Sequence, residues 1–104
     1  MRAETLKGHL DALILAVLSE RPLHGYAVIE ELRRRSEGAF DLAEGTLYPV
    51  LHRLEADGLL TSTWYDASGR RRRVYRLTRR GRAVLARRRQ EWAGFVVAVD
   101  AVLA

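Results

Sequence analysis

The stretch Glu44-Gly45-Thr46-Leu47-Tyr48-Pro49-Val50-Leu51-His52-Arg53-Leu54-Glu55-Ala56-Asp57-Gly58 decides the fold of this chain. At about 100° per residue, Leu47, Val50, Leu51 and Leu54 share one helix face, which predicts a buried side. Gly45, Thr46, Pro49, His52, Arg53 and Ala56 then point the opposite way, with Tyr48 and Glu55 on the borders. Pro49 lacks an N–H and would break a helix interior, so the helix must begin only a few residues before it. Gly58 supplies the C-terminal stop.

Two runs rich in β-branched and aromatic residues follow, Leu60-Thr61-Ser62-Thr63-Trp64-Tyr65 and Arg73-Val74-Tyr75-Arg76-Leu77. With Asp66-Ala67-Ser68-Gly69 between them they predict a β-hairpin. Arg70, Arg71, Arg72 and Arg73 load its tip with consecutive cations. Upstream, Leu6, Leu10, Leu13, Ile14, Val17 and Leu18 repeat at three and four, predicting a helix over residues 6–19 with Thr5 as N-cap and Pro22 beyond its end. His24-Gly25-Tyr26 begins a second helix with the apolar stripe Tyr26, Val28, Ile29 and Leu32. It closes on Arg33, Arg34 and Arg35, where the helix dipole favours cations, before Gly38. Phe40 and Leu42 belong to a partly buried connection.

Thr78 is placed to cap a last helix of roughly 26 residues, about 39 Å at 1.5 Å per residue. Its apolar positions, Leu85, Trp92, Phe95, Val96, Val99, Val102 and Leu103, step in a near-heptad. Three upstream helices already have their own faces to fill, so this stripe is expected to pair with a second copy, although it could fold back on its own domain. Leu85, Trp92, Val96, Val99 and Leu103 are the expected interface residues. The expected fold class is mainly α (α+β): a winged helix-turn-helix over residues 1–78 and a long C-terminal dimerisation helix over 79–104, in one compact unit.

The composition of the 104-residue chain fits one domain, with 48 % apolar residues for a core and 30 % charged residues for a soluble surface. Lysine and arginine total 18 against 13 acids, a net charge of +5. Lys7 is the only lysine, and guanidinium presents a planar fork that grips phosphate or a guanine edge bidentately. The clustering of arginine suits a polyanionic partner, with Arg33, Arg34 and Arg35 reading rather as a solvated helix face. Without cysteine there is no disulfide and no thiolate metal site. Glu4, Lys7, His9 and Asp11 interrupt any signal-peptide core and nothing reaches transmembrane length, so a cytoplasmic location is expected.

His9, His24 and His52 lie on three different elements with no paired spacing, which argues against a metal site. No activated nucleophile, phosphate-binding glycine loop or convergent carboxylate pair points to an enzyme, and no cofactor is expected.

Leu23-His24-Gly25-Tyr26-Ala27-Val28, the run from Glu44 through Leu60, and Arg72-Arg73-Val74-Tyr75-Arg76-Leu77-Thr78-Arg79-Arg80-Gly81 resemble the PadR family of bacterial transcriptional regulators. The likeness covers about four-fifths of the chain, and the Gly-Thr-Leu-Tyr-Pro block with Arg-Leu-Glu and Gly-Leu is its specific part. A single C-terminal helix is similar to the short subfamily. Ala43 departs from a hydroxyl residue usual in the family, leaving Asp41 or Glu44 to compensate at the helix cap, and Val74 departs from an aromatic. The resemblance implies a homodimeric repressor that reads a pseudo-palindromic operator and releases it when a small molecule binds.

On that reading the outward face of the third helix enters the major groove. Thr46 contacts a phosphate or base edge, His52 and Arg53 reach bases, and Tyr48 bonds a phosphate or packs. Arg70, Arg71 and Arg72 meet the backbone or a narrow minor groove, whereas Arg73, in the strand, faces away. Trp92, flanked by Phe95 and Val96, is either an interface anchor or half of a sandwich for a flat aromatic effector. A winged-helix module that binds an acidic protein, and a double-stranded RNA binder, are the alternatives.

Overall fold

The computed structural model describes Leu6 and residues 8–104, so the expected cap at Thr5 lies outside the described residues. Helix α1 runs Leu10–Leu18, strand β1 Leu23–His24, helix α2 Gly25–Arg35, helix α3 Glu44–Ala56, strand β2 Leu60–Ala67, strand β3 Arg70–Leu77 and helix α4 Arg79–Leu103. The strands form one antiparallel sheet in the order β1-β3-β2. This is the winged-helix architecture, with β2 and β3 as the wing.

The core gathers Ile14, Leu15, Val17 and Leu18 from α1, Val28, Ile29 and Leu32 from α2, and Leu47, Leu51 and Leu54 from α3. Leu60, Tyr75 and Leu77 cover it from the sheet. The α2 stripe differs from expectation at its first member, because Tyr26 is half exposed. The buried series is Gly25, Val28, Ile29 and Leu32, an i, i+3, i+4, i+7 spacing whose first position carries no side chain.

Residue 43 offers α3 no side-chain cap, and Asp41 does not substitute for one. Its Oδ1 instead accepts from Arg33 Nε and Nη2 at 3.0 and 2.8 Å. Glu44 sits in the first turn of α3, where the helix dipole favours a carboxylate. Pro49 lies inside α3, five residues after Glu44 and past the first turn, so its missing N–H leaves the Gly45 carbonyl without its intrahelical bond.

The wing is longer than its β-branched runs suggest. Its loop is Ser68-Gly69, both with positive φ of 50° and 75°, the left-handed pair that matches strand twist in a two-residue hairpin. The arginines are therefore in β3 itself. Register pairs Trp64 with Arg73, Tyr65 with Arg72 and Asp66 with Arg71. Strand alternation puts Arg71 and Arg73 on the face of Trp64, and Arg70 and Arg72 on the other.

Thr78 caps α4, its Oγ1 accepting from Gly81 N–H at 3.0 Å and donating to Gly58 O at 2.7 Å. A β-carbon at residue 81 would lie 2.2 Å from Leu59 O, so only glycine lets the helix start this close to the sheet. Leu85 is buried in the core, which removes it from the expected intermolecular face. Its stripe then leaves the domain. Trp92, Phe95, Val102 and Leu103 are exposed, with Val96 and Val99 half-buried along the same side. The molecule is correspondingly elongated, 55 × 28 × 20 Å.

Candidate nucleic-acid interface

Helix α3 is held on both flanks by ion pairs of opposite polarity. Towards α1, Arg53 Nη1 and Nη2 donate to Asp11 Oδ2 and Oδ1 at 3.0 and 2.7 Å. Towards the wing, Glu55 Oε1 accepts from Arg73 Nη2 at 2.8 Å and Oε2 accepts from Ser62 Oγ at 2.6 Å. Arg73 Nε completes the triad by donating to Ser62 Oγ at 2.7 Å. Arg73 thus braces the wing against α3, yet it shares the face of Trp64 with Arg71 and does not face away as expected. Between these flanks, His52 is exposed on the outward side and Thr46 is half-buried.

Arg70, Arg71 and Arg72 are exposed, and among the described residues none of them pairs with a carboxylate. Arg71 lies over the Trp64 ring, 4.7 Å from its centroid, a cation–π contact that limits its rotamers. The contrast with Arg33, Arg34 and Arg35 is sharp. Asp41 holds Arg33, Glu31 holds Arg34 and Arg35, and Glu20 also meets Arg35. Hydrogen bonds from Arg34 and then Arg35 keep the Glu31 carboxyl down at about 2, below the ordinary carboxylate range. The α2 arginines are neutralised within the domain; Arg70, Arg71 and Arg72 of the wing are not.

An open cleft of about 620 Å³ separates the wing from the N-terminal ends of α2 and α3. It brings Tyr48 together with Arg70, Arg71, Arg72 and Arg73, beside His24, Gly25, Trp64, Tyr26, Glu30 and Glu44. Thr46, His52 and Arg53 are not among its lining residues. The Tyr48 ring rests on Gly25, and burial, followed by the nearby Glu44 carboxylate, raises its pKa.

Sequence alone marks His24 only as the start of α2. In the fold its Nδ1 accepts from Ala27 N–H at 3.3 Å, capping α2, while Nε2 lies 3.0 Å from Arg72 Nη1. A neutral imidazole has one free acceptor, so the ring can cap α2 or accept from Arg72, not both. Burial, then the Arg72 charge, lowers its pKa. Its strand pairing, His24 with Val74, ties α2 to the wing through β1. Two residues are too short a run for periodicity to reveal a strand.

On α4, the Trp92 ring meets His9 edge-on at 5.4 Å and Phe95 at 5.8 Å. Leu103 and Phe95 are exposed further along, and Val96 and Val99 lie between them. Among the described residues, no three histidine or acidic side chains are grouped as a metal ion would require, and no helix is long and apolar enough to cross a membrane.

The Transcriptional regulator PadR-like family matches residues 14–87, from α1 through the first turns of α4. A Mycobacterium tuberculosis transcriptional regulator, Rv3488, is 47 % identical over 77 residues, covering 74 % of this chain and 69 % of its own. A protein of Lysinibacillus sphaericus is 35 % identical over 101 residues, 96 % of this chain and 93 % of that one. Among solved structures, a transcriptional regulator from Clostridium thermocellum superposes with a TM-score of 0.87 at 26 % identity, covering 94 % of this chain and 96 % of that one. A PadR family regulator from Eggerthella lenta gives 0.85 at 34 % identity, over 96 % and 86 %. Sequence and architecture thus agree along nearly the whole chain, which belongs to the PadR-like family of transcriptional regulators.

Proposed function

We propose that this regulator is a ligand-responsive repressor that binds a pseudo-palindromic operator as a homodimer, with residues 1–78 reading DNA and 79–104 joining the two copies. The carrying observation is the state of the wing cations. Arg70, Arg71 and Arg72 stay exposed without a carboxylate partner among the described residues, whereas Arg33, Arg34, Arg35, Arg53 and Arg73 are each paired with one. Unpaired guanidinium groups beside the outward face of a helix suit a phosphate backbone, where each contact releases counterions. Tyr48, across the same cleft, is suited to bond a phosphate, with Thr46 further along α3. His52 and Arg53 are the candidates for base edges.

The dimer is supported by the α4 stripe. Trp92, Phe95, Val96, Val99 and Leu103 continue the side on which Leu85 is already buried, and beyond it they protrude from their own domain. A second copy of the helix offers the matching surface. Trp92 with Phe95 and Val96 is also where a flat aromatic effector would lodge between subunits.

Retention on a duplex DNA column, measured against salt, tests the DNA reading. A steep decrease of log affinity with log salt is expected. Retention insensitive to salt, or equal to that on an uncharged column, would refute it.

A further inference from the structure

Among the described residues, Arg53 is the one arginine on the outward side of α3, and its end is already occupied. Both terminal nitrogens donate to Asp11, at 3.0 and 2.7 Å, across the junction of α1 and α3. Two facts make this more than a surface ion pair. The contact uses the end-on edge of the guanidinium, and its side-on edge, Nε with the second Nη2 hydrogen, keeps two donors in the fixed spacing that O6 and N7 of guanine accept. The Arg53 side chain remains 52 % exposed while Asp11 is 28 % exposed, so the free edge belongs to a group that solvent and a ligand can reach.

From this arrangement we infer that Asp11 is a specificity-determining positioning residue: it turns Arg53 from a phosphate-seeking cation into an oriented, charge-neutralised hydrogen-bond fork. The inference rests on the DNA-binding reading above. A free arginine is attracted to any phosphate within reach, whatever the base sequence. With a carboxylate on its far edge, that long-range attraction is largely cancelled. The short-range, directional bonds of the near edge persist, and they discriminate between bases. The carboxylate also fixes a long side chain that would otherwise lose rotamer freedom on binding. Glu55 shows that α3 tolerates such pairing in the opposite sense, yet its partner Arg73 belongs to the wing and its carboxylate offers DNA no donor.

Asp11→Asn removes the charge at nearly constant shape and is the direct test. The probes are a duplex enriched from a randomised library on the wild-type chain, and the unselected library itself. Asp11→Asn is expected to bind the unselected duplexes more tightly, with a salt slope steeper by about one unit. Its preference for the enriched duplex should decrease by about an order of magnitude, the value of one bidentate base contact. Asp11→Glu, which keeps the carboxylate, should restore both. Equal gains on both duplexes would mean that Asp11 merely withholds Arg53, and a lower melting temperature with unchanged binding would mean that it merely fastens α1 to α3. Either result overturns the inference. Wild-type chain that binds neither duplex would instead refute the DNA reading itself.

Discussion

The ring of Tyr48 occupies the space that a β-carbon on residue 25 would need, three of its atoms falling 2.6–2.7 Å from that position. Gly25 opens α2 and Tyr48 lies in α3, so this contact sets how closely the two helices approach at their N-terminal ends. Gly25→Ala is expected to push the ring away and destabilise the fold by about 1–3 kcal/mol, the usual consequence of overpacking. Denaturant titration of Gly25→Ala, Tyr48→Ala and the double variant checks the cause. The double variant should be less destabilised than the sum of the two singles, because the clash is gone once the ring is.

The wing arginines divide by partner. Arg71→Ala or Arg72→Ala should leave stability almost unchanged and weaken binding to every duplex. Each should also reduce the salt slope by roughly one unit for every phosphate the variant no longer neutralises. Arg73→Ala should do the reverse. It strips Glu55 and Ser62 of a shared donor and is expected to cost about 1 kcal/mol of stability, allowing for its partial exposure. Melting curves beside binding isotherms at several salt concentrations separate the two patterns.

His24 gives the fold a dependence on pH. Its pKa is lowered by burial and by Arg72, so the folded state favours the neutral ring. A depressed folded pKa means stability that is fully present above the ordinary imidazole value and is lost as pH falls through the depressed one. The structural event is loss of the ring's one acceptor nitrogen, which serves either the α2 cap or Arg72, a bond worth about 1 kcal/mol. His24→Asn, which can cap without titrating, should flatten the stability profile on the acid side of neutrality. An unchanged profile would assign the acid sensitivity to other groups.

Val99→Glu places a charge in the stripe of α4, where Val99 lies between Val96 and Leu103. Sedimentation should show a dimer for the wild-type chain at micromolar concentration and a monomer for the variant, with folding intact because Val99 is remote from the core. Operator affinity should disappear with the dimer, since each half-site supplies only part of the binding energy.

A flat aromatic compound that lodges at Trp92 should quench its fluorescence and lower operator affinity. Trp64 adds background, so Trp64→Phe is the reference protein and Trp92→Ala the control. The effector can shift the spacing of the reading units only by its differential affinity for the two arrangements. A compound panel in which nothing both quenches Trp92 and releases DNA would leave the indole as an interface anchor.

Legibility from sequence follows the range of the interactions. The helices are readable because Leu47, Leu51 and Leu54, or Val28, Ile29 and Leu32, carry their burial in local spacing. Tyr26 misleads because a stripe read by hydrophobicity cannot count a buried glycine, and Gly25 is the missing member. Strand β3 reads short because four arginines hide an alternation that the paired strand β2 fixes. Leu85 looks like part of one continuous stripe, and nothing local marks where the domain ends and the protruding helix begins. The pairing of Arg53 with Asp11 spans 42 positions, and that of Arg73 with Glu55 spans 18. Spacing within one helix cannot reveal either.

The capped junction at Thr78 has a further consequence for the operator. Helix α4 grows directly out of β3, with Gly81 pressed on Leu59 O and Leu85 seated in the core, so no hinge separates the wing from the joining helix. In the dimer proposed above, two such bodies joined through α4 would meet two half-sites at one rotational phase of the duplex. Adding half a helical turn, about five base pairs, between the half-sites would present the second one on the opposite side of the DNA. A full turn would restore the phase but move it roughly 34–36 Å along the duplex, a distance the proposed dimer could follow only by rearranging where its two α4 helices meet.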